Sequence, residues 1–201
     1  MPPKRRSPTQ QRSRETVARI VDAAVSVLSD VGYDQASTNR IAAAAGVSPG
    51  TLYGYFSDKD DIVFAVIERV VEGFGEAVAP ALRGAAALPE RESTWMVLDA
   101  VLTAIEARAP LIETFVDRVP AERYAPQLDQ LRERVSDVAF QLLAARRPGV
   151  PVADLERATW FAVRTTEHLV VRYVVLQPPI PRDAFLDELT RTVLGFSAPP
   201  A

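Results

Sequence analysis

Apolar residues recur every three and four positions through most of this chain, the spacing that gathers them on one side of a 3.6-residue helix. Val17, Ile20, Val21, Ala24, Leu28 and Val31 make the first stripe, and Gly32 follows as a left-handed stop. A short helix is predicted from about Thr38 to Ala45, then the Ala45-Gly46-Val47 turn. Ser48-Pro49 opens another helix, with serine as N-cap and proline at the first helical position. Asp58 caps the next, with Asp61 three residues on. That helix carries Val63, Val66, Val70, Phe74 and Val78 on one stripe and is expected to end near Pro80. Residues 83–92 (RGAAALPERE) read as a linker. Further helices are predicted near 93–108, 111–119, 126–147, 153–177 and 182–196, separated by Pro110, Pro120, Pro126 and the proline-rich stretches at 148–151 and 178–181. Nothing alternates with period two for long, and no internal repeat is found. The fold class is all-α.

Composition narrows the chemistry. The chain has 201 residues and no cysteine, which excludes disulfides, thiol catalysis and a zinc site built on sulfur. One histidine, His168, argues against a multi-histidine metal centre, and its mid-helix place reads as structural or as a subunit contact. No apolar run approaches the roughly 18 residues a membrane span needs. A soluble, cytoplasmic protein with no cofactor is expected. Net charge is −3, unevenly spread. Residues 1–14 hold Lys4, Arg5, Arg6, Arg12 and Arg14 with no acid, and through residue 59 eight cations face five acids, leaving −6 for the remainder. A basic head on an acidic body points to a polyanion met by the head alone.

Residues 37–59, STNRIAAAAGVSPGTLYGYFSDK, carry the most information. Ile41, Ala42 and Ala45 face inward on the first short helix, and Gly46 supplies the positive φ of a tight helix–helix turn. Leu52 and Phe56, four apart, must point into a core, which leaves Thr51, Tyr53 and Tyr55 on other faces. Two exposed tyrosines on so short a helix have no packing rationale. A helix start with small residues and hydroxyls suits insertion into a major groove, Thr51 taking phosphate while Tyr53 reaches a base edge or thymine methyl.

This stretch closely resembles the N-terminal signature of TetR-family repressors, written around T-x-x-I-A-x-x-A-G-V-S-x-G-T-L-Y-x-Y/H-F-x-x-K. Thr38, Ile41, Ala42, Ala45, Gly46, Val47, Ser48, Gly50, Thr51, Leu52, Tyr53, Tyr55, Phe56 and Lys59 stand at those places. The resemblance implies that Thr38 anchors a phosphate, with Asn39 and Arg40 close to DNA. Ser48, Pro49, Gly50, Thr51 and Tyr53 would line the groove, and Tyr55 and Lys59 would contact the backbone. Gly54 offers no side chain where the family often has a larger one, and Asp58, Asp60 and Asp61 surround Lys59 with negative charge. The implied protein is a homodimeric, ligand-responsive repressor of a palindromic double-stranded operator, with no catalytic residues and no metal.

Gly46-Val47-Ser48-Pro49-Gly50 also matches the G-x-S-x-G nucleophile elbow, which needs a strand before it. Arg40-Ile41 and four alanines form helix instead, and Pro49 removes an N–H wanted for an oxyanion hole. In the later helices, Leu155, Ala158, Ala162, Thr165, Leu169 and Leu176 form one seam, and Trp160, Val163, Val170 and Val174 another. Phe185, Leu189, Val193 and Phe196 add a third. A helix with two apolar stripes needs two partners, one of them expected to be a second subunit. Ala162, Thr165, Leu169, Phe185 and Leu189 are the candidate interface. Trp95, Phe115 and Trp160 are the candidate wall of a pocket for a small apolar or amphipathic effector. The expected organisation is a basic flexible arm over 1–14, a helix-turn-helix domain over 15–60 and a helical effector-binding and dimerisation domain over 61–201. The alternative is a helical ligand-binding or scaffold protein whose basic head is incidental.

Overall fold

The computed structural model describes residues 8–118 and 125–196. Every regular element among them is an α-helix: α1 (Pro8–Gln35), α2 (Thr38–Ala44), α3 (Pro49–Tyr53), α4 (Lys59–Ala85), α5 (Glu90–Glu106), α6 (Ala109–Arg118), α7 (Ala125–Arg146), α8 (Val152–Leu176) and α9 (Arg182–Phe196). They divide into two compact units. The first takes the described residues up to Val70 with those from Glu113 to Arg118, and the second takes Val71–Ile112 with those from Ala125 onward. The division therefore falls inside α4, ten residues beyond the boundary expected at 60.

In the first unit the predicted stripe of α1 is the core: Ile20, Val21, Ala24 and Leu28 are buried with Ile41, Leu52, Ile62 and Val66. Two breaker signals act differently from expectation. Gly32 does take positive φ (71°), yet it kinks the chain, and helix resumes to Gln35. At the other end α1 reaches back to Pro8, so residues 8–14 are helical rather than a loose arm. Proline fits a helix start because the first turn's N–H groups have no helical partner anyway, and Gln-Gln-Arg-Ser-Arg-Glu carries no breaker. Lys4, Arg5 and Arg6 lie outside the described residues.

Pro80 sits inside α4, which runs on to Ala85. An exposed proline forfeits one backbone bond, but Val78 and Ala85, both buried and seven apart, hold the helix on either side. The expected linker thus shrinks to the few residues between Ala85 and Glu90. Arg146 bridges this connector, donating to the carbonyls of Ala85 (2.6 Å) and Leu88 (3.0 Å) and to Ser93 Oγ (2.7 Å).

The second unit is organised around α8, which packs against α5, α7 and α9. Leu98, Leu102, Val170, Val174, Leu186 and Leu189 form its core, with Trp95, Tyr173, Phe185 and Val193 packed on the edge. Polar groups join helices where the core thins. Arg132 on α7 grips Glu167 on α8 through both ends of its guanidinium, with Nε at 2.7 Å. The hydrogen bond to Glu167 is the main reason its pKa is raised, and the charge persists across all ordinary pH. Arg182 at the start of α9 reaches Asp99 (2.5 Å) and Thr103 (2.7 Å) on α5.

Candidate nucleic-acid interface

Local chemistry sets the geometry of α2 and α3. Ser37 caps α2, its Oγ accepting from the Arg40 amide (3.2 Å), and Ser48 caps α3, its Oγ accepting from the Thr51 amide (3.0 Å). Between them Gly46 has φ 64°, the left-handed turn that lets α3 cross α2. Ile41, Ala42, Ala45, Leu52 and Phe56 are buried beneath, as their spacing requires. What precedes Ser48 is helix α2, so the elbow geometry of a hydrolase is absent from this segment.

Outward from that core lie the residues singled out by sequence. Asn39, Arg40, Ser48, Pro49, Gly50 and Thr51 are exposed, and Tyr53 and Tyr55 present large ring areas at 53% and 40% exposure. The hydroxyls come in two pairs. Thr38 Oγ1 and Tyr53 OH lie 2.9 Å apart, tying the start of α2 to the end of α3, and Ser48 Oγ lies 2.9 Å from Thr51 Oγ1. A hydroxyl has one proton and two lone pairs. In each pair one proton is used internally and the other can donate outward to an anionic oxygen. Arg40 turns one guanidinium N–H back to the Gln35 carbonyl at 3.4 Å and keeps the rest of its fork outside.

Lys59 is engaged within the protein. Its ammonium donates to the Tyr33 carbonyl at 2.9 Å and sits 3.8 Å above the centre of the Tyr33 ring. The acids beside it are used locally. Asp58 accepts from the Asp61 amide and Asp61 from the Ser57 amide, both at 2.9 Å, while Asp60 accepts the Tyr33 hydroxyl at 2.5 Å. Tyr33 has no motif signal of its own. Only its place directly after the Gly32 stop hints that it meets another element.

The pocket and interface candidates scatter. Trp95 packs on the core of the second unit and Phe115 is buried in the first, but Trp160 is 55% exposed, so it does not line an interior wall. It stands edge-on to exposed Phe161, which in turn stacks on Phe196 at 5.5 Å. Of the interface candidates, Leu169 is exposed and Ala162 and Thr165 are half-buried. Leu189 is 2% exposed and Phe185 stacks on Tyr173 at 4.0 Å, so these two serve the protomer's own core. Leu155 and Ala158 are likewise buried within the protomer. Sequence reasoning missed Phe161, whose four-residue spacing to Thr165 and Leu169 places it on their face.

Two family models match along this framework. Residues 20–66 match bacterial regulatory proteins of the tetR family, and residues 89–196, more than half the chain, match the tetracyclin repressor-like C-terminal domain. The chain belongs to the TetR family. TetR-family proteins are helix-turn-helix transcriptional regulators rather than enzymes. Among curated relatives, the HTH-type transcriptional regulator BetI of Cronobacter sakazakii is 28% identical over 127 residues, 63% of each chain. The fatty acid metabolism regulator protein of Bacillus subtilis is 33% identical over 81 residues. The chain spans 63% and 42% of the lengths of these two relatives. An uncharacterized HTH-type regulator of Mycobacterium bovis is 33% identical over 144 residues, 68% of this chain and 72% of its own. Among solved structures, a TetR-like regulator from Rhodococcus superposes with a TM-score of 0.64 at 26% identity, over 92% of this chain and 97% of its own. The fatty acid degradation regulator FadR of Bacillus halodurans shares the fold, with a TM-score of 0.68 at 21% identity, over 95% and 97% of the two chains. Among the described residues no helix is long and apolar enough to cross a membrane.

Proposed function

We propose that this chain is a cytoplasmic, homodimeric repressor that holds a palindromic DNA operator through α2 and α3 and releases it when a small apolar or amphipathic effector binds the second unit. The observation that carries the DNA reading is the outward face of Thr38, Asn39, Arg40, Ser48, Pro49, Gly50, Thr51, Tyr53 and Tyr55 over a buried Leu52 and Phe56. Within that face the Thr38–Tyr53 pair is assigned to one phosphate, because with one proton spent between the two hydroxyls the pair presents a single outward donor, which suits an anionic oxygen better than the two-sided pattern of a base edge. Asn39, Arg40 and Thr51 then reach toward bases and neighbouring phosphates. The exposed arginines of α1, Arg12 and Arg14, add sequence-independent attraction.

The dimer is assigned to the outer face of α8. Phe161, Leu169 and Leu176 are 45%, 38% and 66% exposed there, large apolar groups that a second copy would cover. An effector with a long apolar chain is suggested by a relative that is a fatty acid metabolism regulator and by a protein of the same fold that is a fatty acid degradation regulator. The test is selection of bound duplexes from random-sequence DNA, followed by titration of fatty acids and their thioesters against the selected duplex. Palindromic half-sites with centres about 34–36 Å apart, or multiples of a helical turn, are expected. Failure to enrich any duplex would refute the regulator reading, and enrichment without release by any acyl compound would refute the effector class alone.

A further inference from the structure

We infer that Lys59 is a positioning residue of the DNA-reading unit, a clasp between the end of α1 and the start of α4 that holds no phosphate of its own. The inference rests on the DNA-binding reading above. Two successive residues of α4 bracket one residue of α1. Lys59 takes the Tyr33 carbonyl at 2.9 Å and the face of its ring at 3.8 Å, and Asp60 takes its hydroxyl at 2.5 Å. That carbonyl lies in the last turn of α1, where backbone acceptors lack helical partners and the helix dipole attracts a cation. The Gly32 kink, with φ 71° and ψ 176°, swings Tyr33 into this position. One of the ammonium's three N–H donors is already spent on the carbonyl and its charge faces the ring, and the carboxylates of Asp58 and Asp61, within two residues along the chain and capping the start of α4, add negative charge that disfavours a phosphate. The residues that join α3 to α4 run through Phe56, which is buried, so fixing the start of α4 against α1 also fixes the direction in which α3 presents Tyr53 and the connector presents Tyr55.

A phosphate contact and a clasp differ in salt dependence. Each phosphate contact contributes about 0.9 to the slope of log affinity against log salt, whereas a clasp contributes nothing to it. The experiment uses the full chain and the duplex it selects from random-sequence DNA, with Lys59→Met, Lys59→Arg and Tyr33→Leu. Affinity is read by fluorescence anisotropy at several KCl concentrations, at a temperature where circular dichroism shows each variant folded. For Lys59→Met we expect at least a tenfold weaker affinity at unchanged slope, together with a lower Tm. A slope reduced by about 0.9 per reading head at unchanged Tm overturns the proposal in favour of a phosphate contact. Unchanged affinity of the folded variant also overturns it, leaving only a stabilising role. If Lys59→Met does not fold, Lys59→Arg decides. Arginine serves a phosphate at least as well as lysine, while its longer, planar head is not interchangeable with an ammonium seated between a carbonyl and a ring, so weaker binding at unchanged slope supports the clasp and wild-type affinity refutes it. One readout needs no DNA: the Tm loss from Lys59→Met should shrink in the Tyr33→Leu background, and additive losses overturn the clasp. A wild type that selects no duplex refutes the DNA reading, while the Tm cycle still judges the Tyr33–Lys59 contact.

Discussion

Replacing Tyr53 by phenylalanine removes one oxygen and leaves the ring, which makes it the sharpest test of the hydroxyl pair. The phenol is exposed and its partner, Thr38 Oγ1, is 2.9 Å away at the protein surface. Water can replace that bond in the free protein, so the folding cost should sit at or below the lower end of the usual range, about 0.5 kcal/mol. Bound to DNA, the same hydroxyl is assigned a charge-assisted bond to a phosphate oxygen, worth about 1.5–3 kcal/mol. At about 1.4 kcal/mol per decade that is roughly a ten- to 150-fold loss of affinity for each reading head. No cation is removed, so the salt slope should stay at its wild-type value. Thr38→Val tests the other half of the pair, and the double variant should lose less than the two single losses combined because the hydroxyls share one target. The assay is fluorescence anisotropy on the selected duplex and on a scrambled duplex of equal length, at two salt concentrations. A phosphate role requires equal loss on both duplexes. Loss confined to the selected duplex would mean that Tyr53 reads a base, and no loss on either would remove it from the interface.

Three further outcomes follow from burial and charge. Leu169→Glu should leave a folded protomer, since the site is already 38% exposed, but should abolish the dimer and with it operator binding; Leu189→Glu, at 2% exposure in the core, should instead unfold the protein. Sedimentation and circular dichroism separate the two, and an intact Leu169→Glu dimer would move the interface off this face of α8. Thr190 is fully buried and its hydroxyl has no hydrogen-bond partner among the described residues, so Thr190→Val should stabilise by about 1–3 kcal/mol in urea unfolding. A destabilised variant would reveal a partner for that oxygen. Deleting residues 1–14 removes five cations and should flatten the salt slope by about 0.9 for each one that neutralises a phosphate. An unchanged slope would show that this segment never meets DNA.

How much was legible depended on the distance over which each decision is made. The α2–turn–α3 unit could be read directly, because its caps, its positive-φ glycine and its buried Leu52 and Phe56 all lie within about twenty residues and agree with one another. Asp58 and Asp61 could be seen as a cap at the start of α4, but Asp60 could not be seen as the partner of Tyr33. Gly32 and Pro80 are true breakers by composition, and packing on either side overrode both: one became a kink and the other an interior residue of a continuing helix. Periodicity found two apolar stripes on α8 but could not say which neighbours they meet. With α5, α7 and α9 all packed on it, Val170 and Val174 turn inward while Leu169 and Leu176 remain outside. The same limit put Leu189 at an interface when it belongs to the core, and Trp160 in a pocket when it stands on the surface. Contacts between distant residues were out of reach for the same reason. Thr38 meets Tyr53 across 15 residues and Lys59 meets Tyr33 across 26. Neither pairing leaves a mark in local spacing, since each exists only once α2, α3 and α4 have packed around the end of α1.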